Sequence, residues 1–289
     1  LAFTAISGVP MYLRSLLHVL AFVLALPLAA ATAGSNQVAT DFGTETTQIR
    51  DSAHGHRMIL LGEKHATAEI PRLVAALVAD LSQRESVVLA LEIPRNEQAA
   101  LAQYLASDGG IDARAALRSG RFWQVQGDQH DGRRNEDVLD MFEQLRVLNA
   151  AQRNVSLLPF DLASGEPRGN HHQRDQAMAA YLREQFEATA QARFVVLTGN
   201  VHAMVRKPDR APPEMQQPMG SYLADLNPYA INISATTGQF WGCRNGQCAS
   251  TDERPARGQS GPEREGGVYH YQLVLPRFSV ARLLGNHGP

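Results

Sequence analysis

The sequence predicts an α/β protein: a mostly parallel sheet with flanking helices, plus a C-terminal β-hairpin that carries a disulfide. Three observations predict it. Short apolar runs alternate with amphipathic helical stretches from residue 58 to residue 234, the pattern of parallel strands joined by right-handed crossovers. Polar, titratable residues follow strand after strand, at the carboxyl ends where ligands sit in such sheets. The chain's two cysteines, Cys243 and Cys248, flank Asn245-Gly246, a type I′ turn pair.

Met58 to Leu61 is a short apolar run closed by Gly62, hence a buried strand. Ile70, Leu73, Val74, Leu77, Val78 and Leu81 keep helical spacing. Val87 to Leu91 is the second strand, and Asn96 to Ala106 a helix behind Pro94. After Asp108-Gly-Gly110 come a short helix over 112–118 and an aromatic pair, Phe122-Trp123. Asn135 caps a helix whose face is Val138, Leu139, Phe142, Leu145 and Leu148. Val155 to Phe160 is the third strand, Arg174 to Gln191 a helix, and Arg193 to Thr198 the fourth strand. The proline-rich stretch 207–219 reads as a loop, and the segment 204–220 is expected to border the site. Ser221 to Leu226 reads as a short helix, Ile231 to Ser234 as the fifth strand, and residues 250–266 as loose. Val268 to Leu275 alternates like a strand at a sheet edge.

With 289 residues, 44% hydrophobic and 19% charged, the composition is that of a globular protein, not of a disordered chain or a collagen. The net charge of −2 and the lack of basic runs give no footprint for nucleic acid. Almost every basic residue is Arg; lysine occurs only at Lys64 and Lys207. Met11 to Arg14, the apolar run Ser15–Leu28 and Ala31-Thr-Ala33 read as an export signal cleaved after Ala33. The run is shorter than a membrane span needs, so no span is expected after cleavage. Residues 1–33 are thus upstream residues and signal, 34–57 a lead-in without periodicity, and 58–289 one α/β domain, periplasmic or secreted. In an oxidising compartment Cys243 and Cys248 are expected to be bonded.

The first strand delivers Glu63 and His65, the second Glu92, the third Asp161, and the fourth Asn200 and His202. Glu63 and Glu92 also have a plain reading as helix N-terminal charges. Four strands placing such groups on one rim point instead to a shared site.

These residues resemble the superfamily of ChaN-like haem-binding proteins, erythromycin-esterase-like hydrolases and TraB/Tiki-type proteins. The resemblance is carried by Leu61-Gly-Glu-Lys-His65, Ala90-Leu-Glu-Ile-Pro94 and Leu197-Thr-Gly-Asn-Val-His-Ala203. Phe122-Trp123, Asp131-Gly-Arg133, Phe160-Asp161 and Arg174-Asp175-x-x-Met178 add to it on the ChaN-like side. Esterase-like members space the first Glu and His more widely than Glu63 and His65. ChaN-like haem binding implies a tyrosine near the fourth-strand histidine. Here Tyr222 is the first available.

Two functions follow as expectations. In the first, a hydrolase acts on a small molecule. His65 is the general base on water, oriented by Glu63 or Glu92, and His202 is a second acid/base. Arg133, Arg174, Asp161 and Asn200 bind substrate, Arg133 and Arg174 by forked hydrogen bonds. Glu63, His65, Glu92 and His202 are also suitable ligands for Zn or Mn. In the second, an envelope protein binds haem, with His202 and Tyr222 as axial candidates and Phe122, Trp123, Phe240 and Trp241 as a cleft lining. No Gly-x-Ser-x-Gly elbow is present, which argues against a serine nucleophile.

Overall fold

The computed structural model describes residues 41–124, 130–167, 171–244, 247–256 and 258–285. The expected export signal, the start of the lead-in and the Asn245-Gly246 turn lie outside these residues. In chain order the elements are α1 (Gly43–Ser52), β1 (Met58–Glu63), α2 (Glu69–Leu81), β2 (Val87–Pro94), α3 (Gln98–Leu105), α4 (Ile111–Arg118), α5 (Glu136–Ala150) and β3 (Val155–Asp161). There follow α6 (His171–Ala188), β4 (Arg193–Gly199), a 3-10 segment (Met219–Leu226), β5 (Tyr229–Ala235), β6 (Gln239–Arg244), β7 (Gln247–Asp252), β8 (Gly261–Pro262) and β9 (Tyr271–Leu275).

Seven strands form one sheet in the order β3-β2-β4-β1-β5-β9-β8. Every pairing is parallel except that of β8 with β9. The strands are apolar on both faces because both are covered, as parallel sheets require. Alternate residues divide between two cores. Ile59, Leu61, Leu89, Leu91, Val195 and Leu197 face α1 to α5. Met58, Leu60, Val88, Ala90, Phe194 and Val196 face α6 and the 3-10 segment. The chain therefore leaves the neighbouring strands β1 and β4 toward opposite faces, which opens a crevice between their carboxyl ends.

Several elements depart from expectation. The lead-in contains α1, whose Phe42, Thr46, Ile49 and Ala53 are buried at helical spacing. That stripe holds only two large apolar side chains, too few to stand out by periodicity. The helix expected from Arg174 starts at His171, which places Arg174 and Asp175 inside α6 rather than at its entry. β9 is not the sheet edge, because the two-residue β8 pairs outside it. The hairpin β6–β7 stands apart as its own two-stranded sheet, with Cys243 opposite Cys248 and bonded to it. Residues 250–266 are not all loose, since they include the end of β7 and all of β8. Asn135 caps α5 as expected, its side chain accepting from the Val138 amide at 2.8 Å. Among the described residues no helix is long and apolar enough to cross a membrane.

Candidate active site

β1 runs Met58 to Glu63 with its inner residues fully buried, so Glu63 emerges at the rim as the first polar side chain. The turn that follows is braced by the C-terminal segment: the Ala68 amide donates to Ser279 and the Ala281 amide to Ala66, each at 2.9 Å. This turn holds His65 against its own strand end. The Glu63 carboxylate accepts from His65 Nδ1 at 2.9 Å. With Nδ1 so engaged, the proton sits there and Nε2 is left as the basic nitrogen. Nε2 lies 3.8 Å from Glu92 Oε2.

Glu92 continues the face of Val88 and Ala90 on β2 and is only 6% exposed. A charge so buried needs partners. Its Oε2 accepts from Thr198 Oγ1 at 2.8 Å and from the Gly199 amide at 2.9 Å. Its Oε1 accepts from Arg174 at 2.6 Å and, more distantly, from Arg133 at 3.5 Å. Neither Glu63 nor Glu92 caps a helix; the acid in the first turn of α2 is Glu69.

Arg174 precedes Met178 by one helical turn, on the stripe that buries Met178 and Leu182 against the sheet. The stripe carries its guanidinium below the rim. There it donates to Asp161 through Nε and Nη2, both at 2.9 Å, to Glu92, and through Nη1 toward His202 Nε2 at 3.0 Å. Arg133 arrives from the opposite side. It donates to Asp161 at 3.1 Å, to the Glu92 carbonyl at 2.9 Å and to Asp131 at 2.8 Å. Gly132, at φ +86°, makes this approach feasible, since a Cβ there would stand 2.7 Å from that of Ala66. Asp161 is fully buried. Arg133, Arg174 and Asp161, which the sequence reading assigns to substrate binding, join one another and Glu92 in a covered ion network.

Burial favours neutral Glu92, but His65, His202, Arg133 and Arg174 together outweigh it and hold its carboxyl well below the usual range. Burial likewise opposes a charge on His65. The charge and hydrogen bond of Glu63, helped by Glu92, exceed that effect and the repulsion of Arg133, so the His65 pKa is raised above its ordinary value. Asp161 is depressed because its two arginines overcome burial.

His202 follows β4 and donates from Nδ1 to Asp175 at 2.5 Å, while Nε2 faces Arg174. Both ring nitrogens are thus engaged, which disfavours the second acid/base role expected for it. In the sequence Asp175 stands out only as part of the motif Arg174-Asp175-x-x-Met178. Its true partner, one strand away, is visible only once α6 begins at His171. Asn200 lies at the rim, where its amide donates to the Glu63 carbonyl at 3.0 Å and its carbonyl accepts from Tyr269 at 2.6 Å, tying the ends of β4 and β1 together.

Above these groups lies a cleft of about 400 Å³ lined by residues 63–65, Asp131, residues 199–202 and residues 240–243. Gly199 forms its floor: a Cβ there would stand 3.1 Å from His65 Nε2, 3.5 Å from His202 Cδ2 and 3.6 Å from Glu92 Oε2. The missing side chain lets the His65 ring pack this closely against the end of β4. The second wall is the disulfide hairpin, with Phe240 and Trp241; the Trp241 indole donates to the His130 carbonyl at 2.7 Å. Phe122 and Trp123, the other aromatic pair, are buried in the core instead. The 204–220 segment does not line this cleft. Its Met204 and Val205 pack on the α6-side core, and Val205 bonds to Val268.

The residues fit neither a metal nor a haem ligand set well. Among the described residues no group of three or more His, Cys, Asp or Glu side chains is arranged to hold a metal. The expected metal ligand Glu92 already accepts from a guanidinium, a hydroxyl and an amide. Of the two axial candidates, His202 is engaged at both nitrogens and the Tyr222 hydroxyl bonds to His172 at 2.9 Å, outside the cleft lining.

Residues 49–132 match the model of a family described as haem-binding uptake, Tiki superfamily, ChaN. The resemblance read from the sequence motifs therefore holds. No curated protein matches the sequence. Among solved structures, a succinoglycan biosynthesis protein superposes with a TM-score of 0.61 at 10% identity, covering 88% of this chain and 100% of its own. A protein from Bacillus cereus gives 0.60 at 11% identity, covering 87% of this chain and 99% of its own. Erythromycin esterase EreC, in its open conformation, gives 0.53 at 14% identity, covering 75% of this chain and 80% of its own. At these identities the likeness concerns the fold. A fold shared among such different proteins leaves the activity to be argued from the site.

Proposed function

We propose that the chain is a hydrolase of an ester or amide bond in a small molecule, with His65 as the general base. The observation that carries this reading is the His65 imidazole, held by Glu63 at Nδ1 and placing Nε2 beside Gly199 in the cleft lining. Such a nitrogen takes a proton from water as the water attacks a carbonyl and returns it to the leaving group, while Glu63 stabilises the transient imidazolium. Glu92 is a fixed negative charge below the site. Arg133, Arg174 and Asp161 position Glu92, and Asp175 positions His202. Asn200, on the rim, remains our candidate for contact with substrate. No metal is needed for these steps, and the donor set does not favour one.

The chain is proposed to act in the periplasm or outside the cell, with an export signal that begins at Met11 and is cleaved after Ala33. A bonded Cys243–Cys248 pair supports an oxidising compartment.

A haem-binding reading has one observation in its favour beyond the family match, the aromatic wall of Phe240 and Trp241. Against it stands the engagement of His202 and Tyr222. A panel of 4-nitrophenyl esters and 4-nitroanilides, run beside a haem titration and elemental analysis, separates the readings. The hydrolase reading predicts turnover that falls by about 10²–10⁴-fold in His65→Ala, the range for loss of a general base. Saturable haem binding lost in His202→Ala, with no turnover, would replace it. Stoichiometric Zn or Mn lost in His65→Ala would require a metal-assisted version.

A further inference from the structure

Lys64 is one of two lysines in the chain and stands between the paired residues Glu63 and His65. It lines the cleft, half-buried, with its ammonium 5.1 Å from the centroid of the Phe240 ring. Among the described residues it makes no ion pair. The other charges of the lining are occupied. Glu63 accepts from His65, and Asp131 pairs with Arg133 at 2.8 Å and Arg134 at 3.4 Å. Within reach of the Lys64 charge, Glu253 is 9% exposed and its Oε2 accepts no hydrogen bond. Burial pushes that carboxyl upward in pKa and Lys64 draws it down. The cleft lining also has apolar members: Phe240 beside the ammonium, Trp241 on the same disulfide-closed hairpin, and Val201, which is 45% exposed. A cleft of about 400 Å³ has the size of a small-molecule site, in which a few placed polar groups fix orientation.

We propose that Lys64, with the wall of Val201, Phe240 and Trp241, selects ligands that carry a carboxylate beside an aromatic or branched apolar group. The inference deepens the hydrolase reading and rests on it in one respect: the selected group belongs to the ester or amide that is cleaved. A lysine that served only solubility would extend into water; this one lies along an aromatic face inside the cleft.

Binding tests the inference without requiring turnover. Trp241 lines the cleft, whereas the second tryptophan, Trp123, is 3% exposed in the core, so ligand quenching of indole fluorescence reports on the cleft. The probes are 4-nitrobenzoate and neutral 4-nitrobenzyl alcohol. The expected result is that the carboxylate binds at least about tenfold tighter than the alcohol at low salt, the range for a hydrogen bond to a charged group. The ratio falls toward one in Lys64→Gln, survives in Lys64→Arg and shrinks as salt is added. Equal affinity for the two probes in the unmodified protein, or a preference that persists in Lys64→Gln, overturns the inference. A preference that is present while no ester or amide is cleaved refutes the hydrolase reading and leaves the carboxylate site standing.

Discussion

Replacing Arg174 with methionine keeps most of the side chain's volume and removes its charge, leaving two buried carboxylates short of a partner. Arg174 is 11% exposed at the side chain, Glu92 5% and Asp161 1%, so solvent screens this network little. In Arg174→Met, Glu92 Oε1 retains only the 3.5 Å contact with Arg133 and the 4.0 Å approach of His202 Nε2, and Asp161 loses both of its short bonds from α6. Breaking a buried ion pair from one side costs about 3–5 kcal/mol. For a chain of this size that corresponds to a fall in Tm of about 6–20 °C. The sign with pH follows from the depressed carboxyls. The stabilisation they contribute is fully present above the unfolded glutamate value of 4.5 and is lost as pH falls through the folded values. Thermal unfolding by circular dichroism, repeated from pH 7.5 to pH 3, therefore shows the widest gap between the two proteins at neutral pH and a narrowing gap below about 4.5. Adding Glu92→Gln and Asp161→Asn to the variant recovers part of the loss. A deficit under about 1 kcal/mol, or one of equal size at pH 7.5 and pH 3, refutes the buried-network account.

Three further outcomes follow from the same geometry. The His65 pKa, followed by NMR titration of the ring protons, lies above the ordinary value and falls in Glu63→Gln, so the acid limb of any activity profile moves to lower pH in that variant. Ile49→Ala costs about 2–4 kcal/mol in denaturant unfolding, because Ile49 of α1 is fully buried in the core. Opening the disulfide by Cys243→Ser with Cys248→Ser costs about 2 kcal/mol by loop-closure entropy, confined to the hairpin, and shifts the Trp241 emission to the red while leaving the main melting transition in place.

The parts of this molecule that the sequence exposes are those written in local periodicity. α2 announces itself because Ile70, Leu73, Val74, Leu77, Val78 and Leu81 are all large and apolar; α1 does not, because its buried stripe includes Thr46 and Ala53. Glu63, His65, Glu92 and His202 are legible as a set because a parallel sheet gathers its strand ends, and the structure does bring them within reach of one another. The roles of Arg133 and Arg174 are not legible. Whether an arginine faces a substrate or a buried carboxylate depends on where α6 and the 130–135 loop dock, which is a matter of long-range packing. The cleft wall shows the same limit. The proline-rich loop and the disulfide hairpin are equally plausible neighbours of the rim on sequence grounds. Docking of Trp241 on the His130 carbonyl decides for the hairpin.

The central claim, that water is activated by His65 over the floor at Gly199, is tested most directly by Gly199→Ala. Gly199 has no positive φ, so the added methyl group meets no backbone penalty, yet it would stand 3.1 Å from His65 Nε2. Turnover of the best ester or amide substrate is measured beside thermal unfolding. The account predicts a rate lowered at least about 100-fold, the scale of a misplacement near one ångström, with stability changed by no more than about 1 kcal/mol. A stable Gly199→Ala protein that keeps its full rate would contradict it.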